Sequence, residues 1–151
     1  MIKSRGFSLV ELMVVIGVVS TLSVVAVYSW QGYQDNLNLR TAARDIATDI
    51  EACKQRAVSE GIQYRLTFVA GANSYTIAPD PFTVTQTKSL TAFGLGLSII
   101  STNFAAGQWT FLLRGTLSGP TGKIVVGNSK GSRANITVNI TGRTHVEFTM
   151  Q

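Results

Sequence analysis

Residues 5 to 11 read Arg5-Gly6-Phe7-Ser8-Leu9-Val10-Glu11, and the next charged residue after Glu11 is Asp35. A segment apolar enough to enter a membrane therefore carries one carboxylate near its start. From Leu12 to Gln34 there is no charge, and Leu12 to Tyr28 is dominated by Val, Leu, Ile and Met. About 20 such residues cross a bilayer as a helix. Lys3 and Arg5 precede the run and no cation follows until Arg40. That asymmetry assigns the short leader to the cytoplasmic side and the bulk of the chain to the far side of the membrane.

Three readings of this start compete. A secretory signal peptide is cut after its apolar stretch at a small-residue site, and Val25-Ala26 or Tyr28-Ser29 are the available places. The run is long for that role, and Glu11 interrupts it. A plain single-pass anchor fits the length but gives no reason for Glu11, since a carboxylate at mid-membrane costs roughly 2.5–3.5 kcal/mol on insertion scales.

The third reading rests on resemblance. Arg5-Gly6-Phe7-Ser8-Leu9-Val10-Glu11 followed by an apolar run resembles the class III leader junction of type IV pilins and type II secretion pseudopilins. The resemblance implies that residues 1–6 are a leader, that prepilin peptidase cuts between Gly6 and Phe7, and that the new amine of Phe7 is methylated. It implies that residues 7–34 are a transmembrane and assembly helix, held as a single pass in inner-membrane lipid with the soluble part in the periplasm. An ATPase and an assembly platform protein then incorporate the subunit into a periplasmic or extracellular filament beside other pilins or pseudopilins. Glu11 lies about 6 Å along a helix from Phe7. A neighbouring subunit displaced by about one turn brings its amine to that carboxylate, so Phe7 and Glu11 together set the register of assembly. Family members often carry a proline where this chain has Tyr28; here Gly17 and Gly32 are the weak points of the helix instead.

At 151 residues the chain has room for one core besides this segment. Lysine and arginine number 13 against 8 acids, and two of the cations, Lys3 and Arg5, fall in the leader, so the remainder is only mildly basic. Cys53 is the single cysteine, which excludes an internal disulfide. After Tyr33 the helical period continues but becomes amphipathic: Leu39, Ala43, Ile46, Ile50, Cys53 and Ala57 recur at three- or four-residue steps. Arg40, Arg44, Asp45, Asp49, Glu51 and Lys54 lie off that stripe, on what reads as a solvated face. Gly61 is a suitable stop. The spacing predicts one helix from Phe7 to Glu60, with Cys53 as a small apolar filler.

Beyond Gly61 the period changes to short β-prone stretches. Strands are expected over Gln63–Val69, Ser74–Ala78, Leu97–Ser101, Trp109–Leu113, Lys123–Val126, Ala134–Ile140 and Thr144–Thr149. Gly71-Ala72-Asn73 reads as one hairpin connection and Thr141-Gly142-Arg143 as another. In the Asn135–Thr141 run, Ile136, Val138 and Ile140 share one face and the Asn and Thr residues the other. The two Asn-Ile-Thr sequons there read as a polar ladder on a strand. Phe82 to Gly107 reads as largely irregular, its Phe93-Gly-Leu-Gly-Leu-Ser98 a loop entering a strand. The order Arg56-Ala-Val-Ser-Glu-Gly61, Phe111-Leu-Leu-Arg-Gly115, Lys123-Ile-Val-Val126 and Gly142-Arg143 is similar to the GspH/FimT branch of minor pilins and pseudopilins. The expected class is α+β: a long N-terminal helix, hydrophobic then amphipathic (residues 35–60), packed on an antiparallel β domain (residues 61–151), the pilin fold.

No catalytic constellation, metal set or cofactor motif is present in the sequence. His145 and Glu147 fall on one face of a strand and read as ordinary surface residues. The expected work is structural, such as priming or capping a pilus or pseudopilus. The alternative is DNA binding for uptake. Some FimT-like members use a Gly-Arg-x-Arg motif, and this chain has Gly142-Arg143-Thr144-His145, which replaces the second guanidinium. Lys123, Lys130, Arg133 and Arg143 are the candidate cations, with Lys130-Gly-Ser-Arg133 expected to form a mobile loop.

Overall fold

The computed structural model describes residues 7–83 and 85–151; the side chains of residues 25–29 and of Ala105 lie outside that description. The expected leader, residues 1–6, and with it Gly6 of the expected cut, falls outside it as well. The order of elements is α1 (Leu9–Glu60), β1 (Tyr64–Phe68), β2 (Ser74–Pro79), β3 (Gln86–Ser89), β4 (Ser98–Thr102), β5 (Gln108–Phe111), β6 (Gly122–Gly127), β7 (Arg133–Val138) and β8 (Thr144–Thr149). The chain divides into a unit that ends at Gln34 and a unit from Asp35 to Gln151.

α1 begins at Leu9, two residues later than the periodicity suggests, after the Ser8 carbonyl accepts the Leu12 amide. It ends where Gly61 turns left-handed at φ +66°, a conformation that glycine reaches without a Cβ clash. Within the second unit the predicted stripe is buried in full. Leu39, Ala43, Ile46, Ile50, Cys53 and Ala57 are at most 2% exposed, and Ala42 joins them. Burial of one large aliphatic side chain contributes roughly 1.5–3 kcal/mol, so this face accounts for the docking of the helix.

The β domain is antiparallel, as expected, and consists of two sheets. β3-β2-β1-β5 and β4-β6-β7-β8 are each four-stranded and antiparallel. Main-chain bonds join them at two places. The Ile99 amide donates to Ala72 O at 2.8 Å, and Ile99 O accepts from the Gly71 amide at 2.7 Å. The segment after β5 bridges back, with Phe111 opposite Leu117 and the Leu117 amide donating to Ile140 O. Inward residues of both sheets, including Leu66, Phe68, Ile77, Ile99, Ile124 and Ile136, form one cluster with the helix stripe.

Phe82 to Gly107 is more regular than expected. It holds β3, a 3-10 turn at Leu90–Ala92, β4 with a bulge between Ile99 and Ser101, and a second turn at Ala105–Gly107. β3 reads Gln-Thr-Lys-Ser and buries none of its residues; it is held by pairing with β2, which leaves no hydrophobic period in the sequence. Asp49 also departs from the sequence reading. Its side chain is 17% exposed and accepts Tyr75 Oη at 2.6 Å, so it faces β2 rather than water.

Candidate functional site

Two regions carry the residues that the sequence singles out, one in each unit. In the first, Phe7 lies just before α1 and Glu11 is the acid of its first turn. Phe7, Leu9, Val10, Met13, Val14 and Leu22 are each more than 60% exposed. The apolar residues encircle the helix without a polar face, the pattern of a helix meant for lipid or for other helices. The hydroxyls within it are already satisfied: Ser20 donates to Ile16 O, Thr21 to Val18 O and Ser23 to Val19 O, at 2.7–2.8 Å. Such back-bonding removes donors that an apolar surrounding would leave unpaired. Glu11 is the one charged group between Phe7 and Gln34. Among the described residues no helix is long and apolar enough to cross a membrane; the expected span, Leu12 to Tyr28, runs into residues 25–29, whose side chains are outside the description.

In the second unit the outer face of the β4-β6-β7-β8 sheet carries the cations. Strand register decides which of them meet. Lys123 pairs with Thr137 and Thr137 with His145, so these three form one row. Arg133 pairs with Gly127 and Thr149 at the other end of β7. Lys123 and Arg143 therefore share the end of the sheet at the β7–β8 turn, while Lys130 and Arg133 share the end at the β6–β7 turn. Four residues of strand, about 13 Å, separate the rows of Lys123 and Arg133. The four candidate cations make two pairs rather than one patch.

The two turns are built differently. At the β7–β8 turn, Thr137, Asn139, Arg143, Thr144 and His145 line an open groove of about 470 Å³. The Asn139 side-chain oxygen accepts the Arg143 amide at 2.8 Å and the Thr141 hydroxyl at 2.7 Å, which orders the turn. His145 Nε2 lies 3.4 Å from Glu147 Oε1 with both side chains well exposed, a surface pair of little energetic weight. At the β6–β7 turn, in the Lys130-Gly-Ser-Arg133 loop, Asn128 Oδ1 accepts both the Lys130 and Ser132 amides at 3.0 Å. Ser132 is fully buried, and its hydroxyl accepts the Gln151 amide at 2.9 Å.

The sequence reading overlooked the Asp49–Tyr75–Lys88 cluster, where Lys88 Nζ lies 3.3 Å from Asp49 Oδ2. Desolvation, with help from the hydrogen bond to Asp49, pushes the Tyr75 hydroxyl well above its usual 10.0. Burial, and then the nearby Asp49 charge, pushes the Cys53 thiol up to about 12. Both groups are thus neutral packing elements rather than reactive ones. Among the described residues no group of His, Cys, Asp and Glu is placed to hold a metal ion.

A long N-terminal helix packed through its amphipathic part on antiparallel sheets, with an apolar first part that carries one early carboxylate, is the architecture of the pilin fold. Residues 1–27 match the family described as the prokaryotic N-terminal methylation motif. Among solved structures, the chain resembles the minor pseudopilin EpsH of the type 2 secretion system of Vibrio cholerae with a TM-score of 0.59 at 12% identity, covering 73% of this chain and 96% of that one. It resembles the type IV minor pilin FimU of Pseudomonas aeruginosa (strain PAO1) with a TM-score of 0.58 at 16% identity, covering 76% of this chain and 92% of that one. A second crystal form of FimU gives 0.54 at 18% identity, over 72% and 92%. No curated protein matches the chain. The motif match covers the first 27 residues, and the likeness to EpsH and FimU, at 12–18% identity, is one of fold.

Proposed function

We propose that this protein is a structural subunit, a minor pilin or pseudopilin of the GspH/FimT branch, with no enzymatic activity of its own. Prepilin peptidase cuts it between Gly6 and Phe7, the amine of Phe7 is methylated, and the subunit waits in the inner membrane until an assembly platform draws it into a filament. There it primes or caps a type IV pilus or a type II secretion pseudopilus. The observation that carries this reading is the apolar helix with a single carboxylate, Glu11, in its first turn. A buried carboxylate is tolerable only when paired, and the amine of a neighbouring Phe7 is the partner that the spacing admits. Replacement of Glu11 by Ala tests it: leader removal persists on an immunoblot, while the amount recovered in sheared filaments falls. Normal recovery would sink the pairing mechanism.

A second reading, DNA binding during uptake, is favoured by one feature, the open groove at Arg143 with Lys123 in the adjoining row. His145 stands where a second arginine would make a stronger phosphate fork. Salt-sensitive binding that depends on Arg143 is its signature.

A further inference from the structure

The first unit ends in two aromatic side chains for which subunit pairing at Glu11 has no use. Trp30 is 63% exposed and Tyr33 60%, with ring centroids 6.3 Å apart. Three residues apart on a helix, they occupy one face. Polar sequence begins directly after them, with Gln34 and Asp35. Tryptophan and tyrosine combine an apolar body with a polar tip and concentrate where lipid headgroups meet hydrocarbon. A helix rises 1.5 Å per residue, so Glu11 and Trp30 are about 28 Å apart along the axis, close to the thickness of about 30 Å of a bilayer's hydrocarbon layer.

We propose that Trp30 and Tyr33 form an interfacial anchor that docks this helix in the headgroup layer of a bilayer and thereby holds Glu11 at the opposite headgroup layer. The proposal rests on the membrane-stored reading above and adds to it a depth and a consequence. At that depth the Glu11 carboxylate stays hydrated during storage. Its desolvation begins only when the helix leaves lipid for a filament interior, the step at which the register with a neighbour is chosen. The carboxylate thus discriminates between dockings without opposing membrane insertion.

The test uses full-length protein in phosphatidylcholine vesicles. The chain has two tryptophans, and Trp109 is 3% exposed in the core, so subtraction of a Trp30→Phe variant isolates the Trp30 emission. Lipids brominated near the headgroup end of the acyl chain are expected to quench it more than lipids brominated near the terminal methyl. Stronger quenching by the deep bromines overturns the anchor. A polarity-sensitive dye on Glu11→Cys reports the other end; Cys53 is 2% exposed and escapes labelling. Trp30→Leu with Tyr33→Leu lengthens the apolar run, recentres it, and moves position 11 toward water, so the dye emission shifts to the red. Unchanged emission overturns the anchor. Wild-type protein that fails to sediment with vesicles refutes the membrane-stored reading and the anchor together, whereas deep quenching of protein that does sediment removes the anchor alone.

Discussion

Tyr75 of β2 donates its phenolic hydrogen to Asp49 of α1 across 2.6 Å, and so ties the amphipathic helix to the sheet that β2 belongs to. Lys88 of β3 approaches the same carboxylate at 3.3 Å, with its own side chain 36% exposed. The two partners differ in surroundings: the tyrosine is 2% exposed, while the lysine is half in water. Tyr75→Phe leaves a largely buried carboxylate without its close donor and is expected to lower stability by about 1–3 kcal/mol, read as a shift of the urea midpoint at constant slope. Lys88→Met removes a solvent-screened ion pair and is expected to cost under about 1 kcal/mol. Equal losses would mean that the hydroxyl is not the principal partner, and a larger loss from Lys88→Met would give that place to the lysine.

Alkaline pH acts on the same region. The Cys53 thiol is held at about 12 against an ordinary 9.0, and the Tyr75 hydroxyl is likewise raised, both first by desolvation. In the unfolded chain these groups release their protons earlier than in the fold. The stability that they confer is therefore complete below the ordinary thiol value of 9.0 and is lost progressively as pH climbs toward 12. One group contributes a slope of about 1.4 kcal/mol per pH unit across its window. Cys53→Ala is expected to make the fall in stability shallower by up to that amount, measured by urea unfolding at a series of alkaline pH values. An unchanged slope would show that the thiol ionises equally in both states.

Much of this was legible from the order of residues. The six-residue stripe from Leu39 to Ala57 is buried because a 3.6 period puts those side chains on one face, and Gly61 ends the helix because it takes φ +66°. β7 and β8 alternate in burial as their side chains alternate in polarity. β3 left no such trace, since a strand that buries nothing has no pattern to read. Asp49 was rightly placed off the stripe, yet a tyrosine 26 residues away reaches over to cover it. Whether Lys123, Lys130, Arg133 and Arg143 converge depends on strand register, which pairs Lys123 with Thr137 and Gly127 with Arg133 and so parts them. The Arg5–Glu11 junction was legible as a motif, but the pairing of Trp30 with Tyr33 acquires meaning only from their exposure and the length of helix behind them.

That separation makes the DNA reading discriminating. If the groove at Arg143 engages a phosphate backbone, Arg143→Ala and Lys123→Ala each weaken binding and reduce the salt dependence by about one phosphate contact. Lys130→Ala and Arg133→Ala, about 13 Å along the sheet, are expected to leave a short duplex bound as before. Titration of fluorescent DNA at several salt concentrations checks this. Loss of binding from the Lys130 and Arg133 end instead would place any DNA site at the β6–β7 turn.

The β7–β8 turn that carries Arg143 is fixed by its glycine. Gly142 is left-handed at φ +73°, and a Cβ there would meet the Gly115 carbonyl oxygen and the Lys54 side chain. Gly61 has a similar φ of +66° but open space around it. Alanine at either position suffers the left-handed backbone penalty, of about 1 kcal/mol. Only at Gly142 must the neighbouring main chain also move, so Gly142→Ala is expected to cost about 1–3 kcal/mol more than Gly61→Ala. Arg143→Ala, an exposed side chain beside it, is expected to change stability by less than about 0.5 kcal/mol. Thermal unfolding of the three variants separates the contributions. If Gly61→Ala and Gly142→Ala proved equal, the Gly115–Gly142 approach would be loose in solution, and Arg143 would have no fixed seat from which to read a ligand.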